Sequence, residues 1–114
     1  LTLLSGGERA LTVIALLFSF LDYRPAPFCV LDEVDAALDE ANVERFSSYL
    51  NRVNKETQFI VVSHRKKTME AAEVLQGVTM VERGVSRLLT VSFEDVKEDL
   101  AYWHLDSLIR LKRV

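Results

Sequence analysis

The sequence predicts an α/β domain with a mainly parallel sheet, flanking helices and a C-terminal β-hairpin. Three observations carry that expectation. Two short apolar runs, at residues 28–31 and 59–62, have the character of buried strands. Between them Val43, Phe46, Leu50 and Val53 recur at helical spacing, so the two strands are joined through a helix, as in a βαβ unit. Later, Val78 and Met80, then Val85 and Leu89, flank Arg83-Gly84, the pattern of an antiparallel hairpin around a glycine turn.

Each element has its own local reason. Ser5 is placed to cap a helix, and Glu8 three positions later completes a capping box. That helix should run to about residue 22, with Leu11, Ile14, Ala15, Phe18 and Leu21 on one face. Leu16, Leu17 and Phe20 lie elsewhere around it, so burial on most sides is expected. Arg24-Pro25-Ala26-Pro27 ends it. The unbroken apolar run at 28–31 predicts a parallel strand covered on both faces, with Cys29 in the core. Asp39 or Asn42 can cap the second helix. After the second strand come Ser63-His64 and a short helix over about 66–73. The domain proper spans 1–93. The tail, 94–114, is expected to be helical because Leu100, Trp103, Leu108 and Leu111 form a stripe that ends in the basic residues Arg110, Lys112 and Arg113. His104 lacks a chemical context and reads as structural.

Composition narrows the function classes. The chain has 114 residues, 49% hydrophobic and 27% charged, which suits one globular domain and not a disordered one. It begins at Leu1, and its methionines are Met69 and Met80, so it reads as an excised or processed segment. The longest apolar stretch, 11–21, is too short to span a bilayer, and no membrane partner is expected. One cysteine excludes an internal disulfide framework and fits a reducing, cytoplasmic setting. A net charge of −3 gives no bulk attraction to nucleic acid, so any DNA contact must come from local patches or from other parts of a complex.

The chemistry gathers at the C-terminal ends of the two strands, the edge where open α/β sheets bind ligands. Phe28-Cys29-Val30-Leu31-Asp32-Glu33 is an apolar strand ending in two carboxylates. A rigid strand can hold Asp32 toward magnesium while Glu33 reaches the water that attacks a γ-phosphate. The run Asp32-Glu33-Val34-Asp35-Ala36-Ala37-Leu38-Asp39 looks like a Walker B motif flowing into a D-loop. Two solvated loop acids would be the plainer reading of Asp-Glu alone. Leu4-Ser5-Gly6-Gly7-Glu8 looks like the signature motif of an ABC-type ATPase and puts free backbone N–H groups at a helix N-terminus, a setting that favours an anion. His64, after the second strand, can donate a hydrogen bond to a γ-phosphate. Arg65-Lys66-Lys67 offers charge for DNA or the γ-phosphate environment, but a solvated first helical turn is the better reading. A P-loop needs two glycines five positions apart followed by Lys and Ser or Thr. No pair among Gly6, Gly7, Gly77 and Gly84 fits, so the chain carries half of an ATP site.

On these motifs the chain resembles the C-terminal half of the ATPase head of a bacterial SMC (structural maintenance of chromosomes) protein. The resemblance covers roughly 1–93 and rests on residues 4–12, 27–39 and 58–66. Transporter ATPases usually have Gln where Glu8 stands and Pro where Val34 stands, and both differences favour an SMC-like head. A coiled-coil ABC ATPase of DNA repair is the alternative, a transporter subunit a more distant one, and an isolated interaction module the reading for this segment by itself. The SMC resemblance implies a C-terminal head lobe completed by an N-terminal half that brings the P-loop. It implies ATP and Mg2+ as cofactors, Asp32 on the metal, and Glu33 and His64 in catalysis. Ser5, Gly6, Gly7 and Glu8 would meet the nucleotide of a second SMC head in a homodimer, with Asp35 and Asp39 in the D-loop at the dimer interface. It further implies a kleisin subunit docking through its winged-helix domain, DNA bound by the whole complex, a nucleoid-associated location, and a role in chromosome condensation and segregation.

Overall fold

The first helix, α1 (Gly6–Tyr23), starts where the sequence places its cap. Ser5 has extended backbone, and its Oγ accepts the Glu8 N–H at 3.2 Å and donates to Glu8 Oε1 at 3.0 Å. The helix stops at Arg24, whose N–H reaches Phe20 O just before the prolines. Residues 3–52, 56–91 and 107–112 are described by the structure, a computed structural model. The remaining elements are β1 (Phe28–Asp32), α2 (Glu40–Arg52), β2 (Gln58–Ser63), α3 (Lys66–Glu70), β3 (Val74–Glu82), β4 (Val85–Val91) and β5 (Ser107–Lys112). Of the two candidate caps for α2, Asp39 is the one used: its Oδ1 accepts the Asn42 N–H at 2.8 Å. The third helix is shorter than expected, because Ala71 and Ala72 close a turn onto Thr68 O and Met69 O and the chain enters β3 at once.

The five strands form one sheet in the order β1-β2-β5-β3-β4. β1 and β2 are parallel, with Phe28 beside Gln58 and Asp32 beside Val62. The other pairings are antiparallel, which corrects the expectation of a mainly parallel sheet. β1, β2 and β3 do run in one direction, but β5 enters between β2 and β3 the opposite way. That strand also corrects the expected helical tail over 107–112. A segment with a paired strand on each side satisfies its backbone groups from both edges, and this overrides a sparse helical stripe. Leu100, Trp103 and His104 lie outside the described residues, as does Val53. The expected hairpin is present, turning at Arg83-Gly84, where Gly84 takes φ 83°.

The core lies on one face of the sheet. Phe18 from α1 stacks on Tyr49 of α2 at 4.5 Å between ring centroids and meets Phe59 of β2 edge-on at 6.0 Å. Ile14, Leu21, Leu31, Leu38, Val43, Phe46, Leu50 and Val61 complete it. The Tyr49 hydroxyl donates to Asp22 Oδ2 at 2.9 Å, and burial followed by that carboxylate pushes the phenol up from its ordinary value. Cys29 is half-buried against this core, and burial pushes its thiol up as well. On β1 the opposite face is open, with Phe28 and Val30 61% and 55% exposed. Both-face cover for β1 is therefore not realised among the described residues. Nor is α1 buried on most sides, since Ile14, Phe18 and Leu21 face inward while Val13, Leu16, Phe20 and Tyr23 face out. No helix among the described residues is long and apolar enough to cross a membrane.

Candidate functional site

Parallel pairing of β1 and β2 brings their C-terminal ends to the same edge, and this alone places Asp32, Glu33 and His64 together. The ladder runs one step past β1, with Glu33 N–H donating to Val62 O at 2.9 Å. Glu33 then turns the chain sharply, at φ 54°. A left-handed backbone costs a residue with a Cβ about 1–2 kcal/mol, and such costs concentrate at functional sites. The loop beyond it is fixed by Ala36 N–H to Glu33 O and Leu38 N–H to Asp35 O.

The strained turn presents its carboxylate to the neighbouring loop, where His64 Nδ1 lies 3.1 Å from Glu33 Oε2. Both side chains are about half exposed, so their pairing contributes little to stability and matters for where it puts the two groups. A His64 that donates Nδ1–H to Glu33 leaves its other ring nitrogen for a different partner. Asp32, the last residue of β1, is exposed beside them. Among the described residues no group of three or more His, Cys, Asp or Glu side chains could hold a metal without further ligands. One exposed carboxylate at a strand end suits magnesium, which keeps several waters and takes much of its coordination from substrate phosphates.

Asp35 and Asp39, expected together at a dimer interface, part company. Asp39 is exposed and caps α2. Asp35 is turned inward and fully buried, where its Oδ2 accepts from Ser63 Oγ at 2.6 Å and from Thr68 Oγ1 at 2.5 Å. Arg65, read from the sequence as part of a solvated turn, is half-buried instead. Its guanidinium donates to Leu38 O at 3.0 Å and to Glu40 Oε1 at 2.9 Å. Ser63, Arg65 and Thr68 are thus the site residues that sequence reasoning missed; their partners are distant in the chain, and only the β1–β2 pairing makes them neighbours.

At the start of α1, Ser5 and Gly6 are exposed, and Gly7 packs close against the carboxylate loop. A Cβ on Gly7 would stand 2.9 Å from Ala37 O, so only glycine lets this helix end abut that loop. Glu8 is engaged in the Ser5 cap. The edge therefore offers exposed acids, a histidine and a helix N-terminus, a set suited to phosphate chemistry once something else supplies the phosphate cradle.

Comparison with known proteins agrees with that chemistry. Residues 2–87 match the family described as RecF/RecN/SMC N terminal domain. The chain is 67% identical over 98 residues to the chromosome partition protein Smc of Bacillus subtilis (strain 168), an alignment covering 86% of this chain and 8% of that protein. An SMC ATPase structure from work on ATP-driven dimerization and DNA-stimulated activation superposes with a TM-score of 0.75 at 41% identity, over 83% of this chain and 58% of that one. An Smc head bound to the C-winged helix domain of ScpA gives a TM-score of 0.77 at 42% identity, over 83% of this chain and 29% of that one. The chain spans about 8% of the length of the curated relatives it matches.

Proposed function

We infer the function from the family: the chain belongs to the RecF/RecN/SMC N-terminal domain family and is a region of an SMC ATPase head. It is the C-terminal lobe of that head, in this reading, and supplies the signature motif, Walker B carboxylates, D-loop and switch histidine to a composite ATP site. The observation that carries it is Glu33, strained at φ 54° with its carboxylate 3.1 Å from His64 at the end of parallel strands.

Each residue has a chemical task. Asp32 would hold Mg2+, directly or through water, and the ion would supply positive charge to the phosphates. Glu33 takes a proton from the water that attacks the γ-phosphorus as the bond to the β-bridging oxygen breaks, giving ADP and phosphate. His64 faces the γ-phosphate from the adjoining loop and distinguishes ATP from ADP. Ser5, Gly6 and Gly7 present N–H groups and a hydroxyl at the N-terminus of α1 to nucleotide held by a second head, with Glu8 supporting them through the cap and Asp39 in the D-loop near that partner. A P-loop from the other half of the same head completes the cradle.

ATP-driven head engagement and hydrolysis would then power chromosome partition by the whole protein, on DNA bound by the full complex. A kleisin partner is supported by the related Smc head bound to the ScpA winged-helix domain. The reading is tested in the complete head. Glu33→Gln removes the base while keeping the shape, so turnover should fall about 100-fold or more with ATP still bound. Unchanged hydrolysis in that variant would remove Glu33 from the chemistry.

A further inference from the structure

We propose that Asp35 is a positioning residue that ties the loop carrying Glu33 to the loop carrying His64, so that the two reacting groups are held as one unit. The proposal rests on the ATPase reading above and goes a step beyond it. Nothing about the exposed Glu33–His64 pair would hold it in register: both side chains are open to water, and a contact of this kind competes with solvent. The register is set beneath it. Asp35, two residues after Glu33, is fully buried and receives hydroxyls from two residues on the far side, Ser63 and Thr68. Both donors are themselves buried, so these bonds are shielded from water, and the low polarity around them strengthens each one.

Ser63 does more than donate. Its Oγ also accepts the Arg65 N–H at 3.0 Å, so the residues on either side of His64 are engaged by one hydroxyl that ends on Asp35. Arg65 then closes a second clasp between the same two loops through Leu38 O and Glu40. His64 is the exposed residue between two anchored neighbours, and Glu33 is the strained residue at the other end of the tie.

Packing alone does not call for this carboxylate. A buried acid costs free energy unless its oxygens are satisfied, and among the described residues Asp35 Oδ1 has no hydrogen-bond partner. An apolar side chain of similar size would fill the space at lower cost. What a carboxylate does here that an apolar group would not is fix a direction: it sets how far the β1–α2 loop stands from the β2–α3 loop. A shift in either loop is thereby passed to the other, so nucleotide sensed at His64 and water activated at Glu33 stay coupled.

The test uses the complete protein, with its P-loop half present, and compares Thr68→Val, Thr68→Ser, Ser63→Ala and Glu33→Gln. Thr68→Val keeps the shape but removes one donor to Asp35, and Ser63→Ala removes the other. Each should lower kcat about tenfold or more, the range typical of lost outer-shell orientation. The apparent KM for ATP and ATP-driven head association should stay near wild type, the melting temperature should fall by only several degrees because a buried acceptor loses a donor, and Thr68→Ser should restore turnover. Unchanged kcat in both donor variants, loss of kcat only in step with melting temperature, or failure of Thr68→Ser to restore it would overturn the tie. If that happens while Glu33→Gln still abolishes turnover, the tie alone falls; if Glu33→Gln is active, the ATP-site reading falls with it.

Discussion

Glu33 occupies a backbone conformation that glycine would adopt more easily, at φ 54°. Its N–H completes the ladder to Val62 O, so the turn cannot relax without breaking that bond. The cost identifies a residue kept for its side chain. Glu33→Gly should therefore raise the unfolding free energy of the head by up to about 1 kcal/mol, read by chemical denaturation, while abolishing turnover. A glycine variant that is less stable than wild type would show that the left-handed turn carries no strain. At this scale the sequence is partly legible. Asp32, Glu33 and His64 could be named because each stands at the end of an apolar run. The inward turn of Asp35 could not, because burial of a carboxylate depends on donors 28 and 33 positions away.

At the scale of elements, β1 and α1 are each half-finished. Phe28 and Val30 alternate with the inward residues Cys29 and Leu31, so one face of β1 meets the core and the other meets solvent. The outward face of α1 carries Val13, Leu16, Phe20 and Tyr23. An apolar surface of this kind is a candidate contact face, and we assign it to another protein surface. The double substitution Phe28→Ser with Val30→Thr should reduce self-association of this segment, measured by light scattering, and, under the lobe proposal, also reduce its recovery with a co-expressed P-loop half. Undiminished recovery would show that the open sheet face is not where the other half packs. The continuous apolar run at 28–31 was legible as a strand covered twice, but the described residues supply only one of the covers. The tail was misread for a related reason: pairing partners on both sides decide between helix and strand, and spacing within 94–114 does not reveal them.

At the scale of the whole molecule, the chain gathers two carboxylates, a histidine and a signature-like helix start at one edge, and its sequence carries no P-loop pattern of glycines and lysine. Close packing of Gly7 on Ala37 O joins the helix start to the carboxylate loop, so in the composite-site proposal the element that would meet a partner and the element that would hydrolyse are mechanically continuous. Under that proposal, the continuity would give head association and hydrolysis a direct route to influence one another. The most direct test is ATP-driven association of the complete head, followed by analytical ultracentrifugation for wild type, Glu33→Gln and Ser5→Arg. A composite site predicts that ATP produces a dimer, that Glu33→Gln traps it by blocking hydrolysis, and that Ser5→Arg abolishes it by filling the face that meets the opposite nucleotide. Association that ignores ATP, or that neither substitution alters, would contradict the composite site.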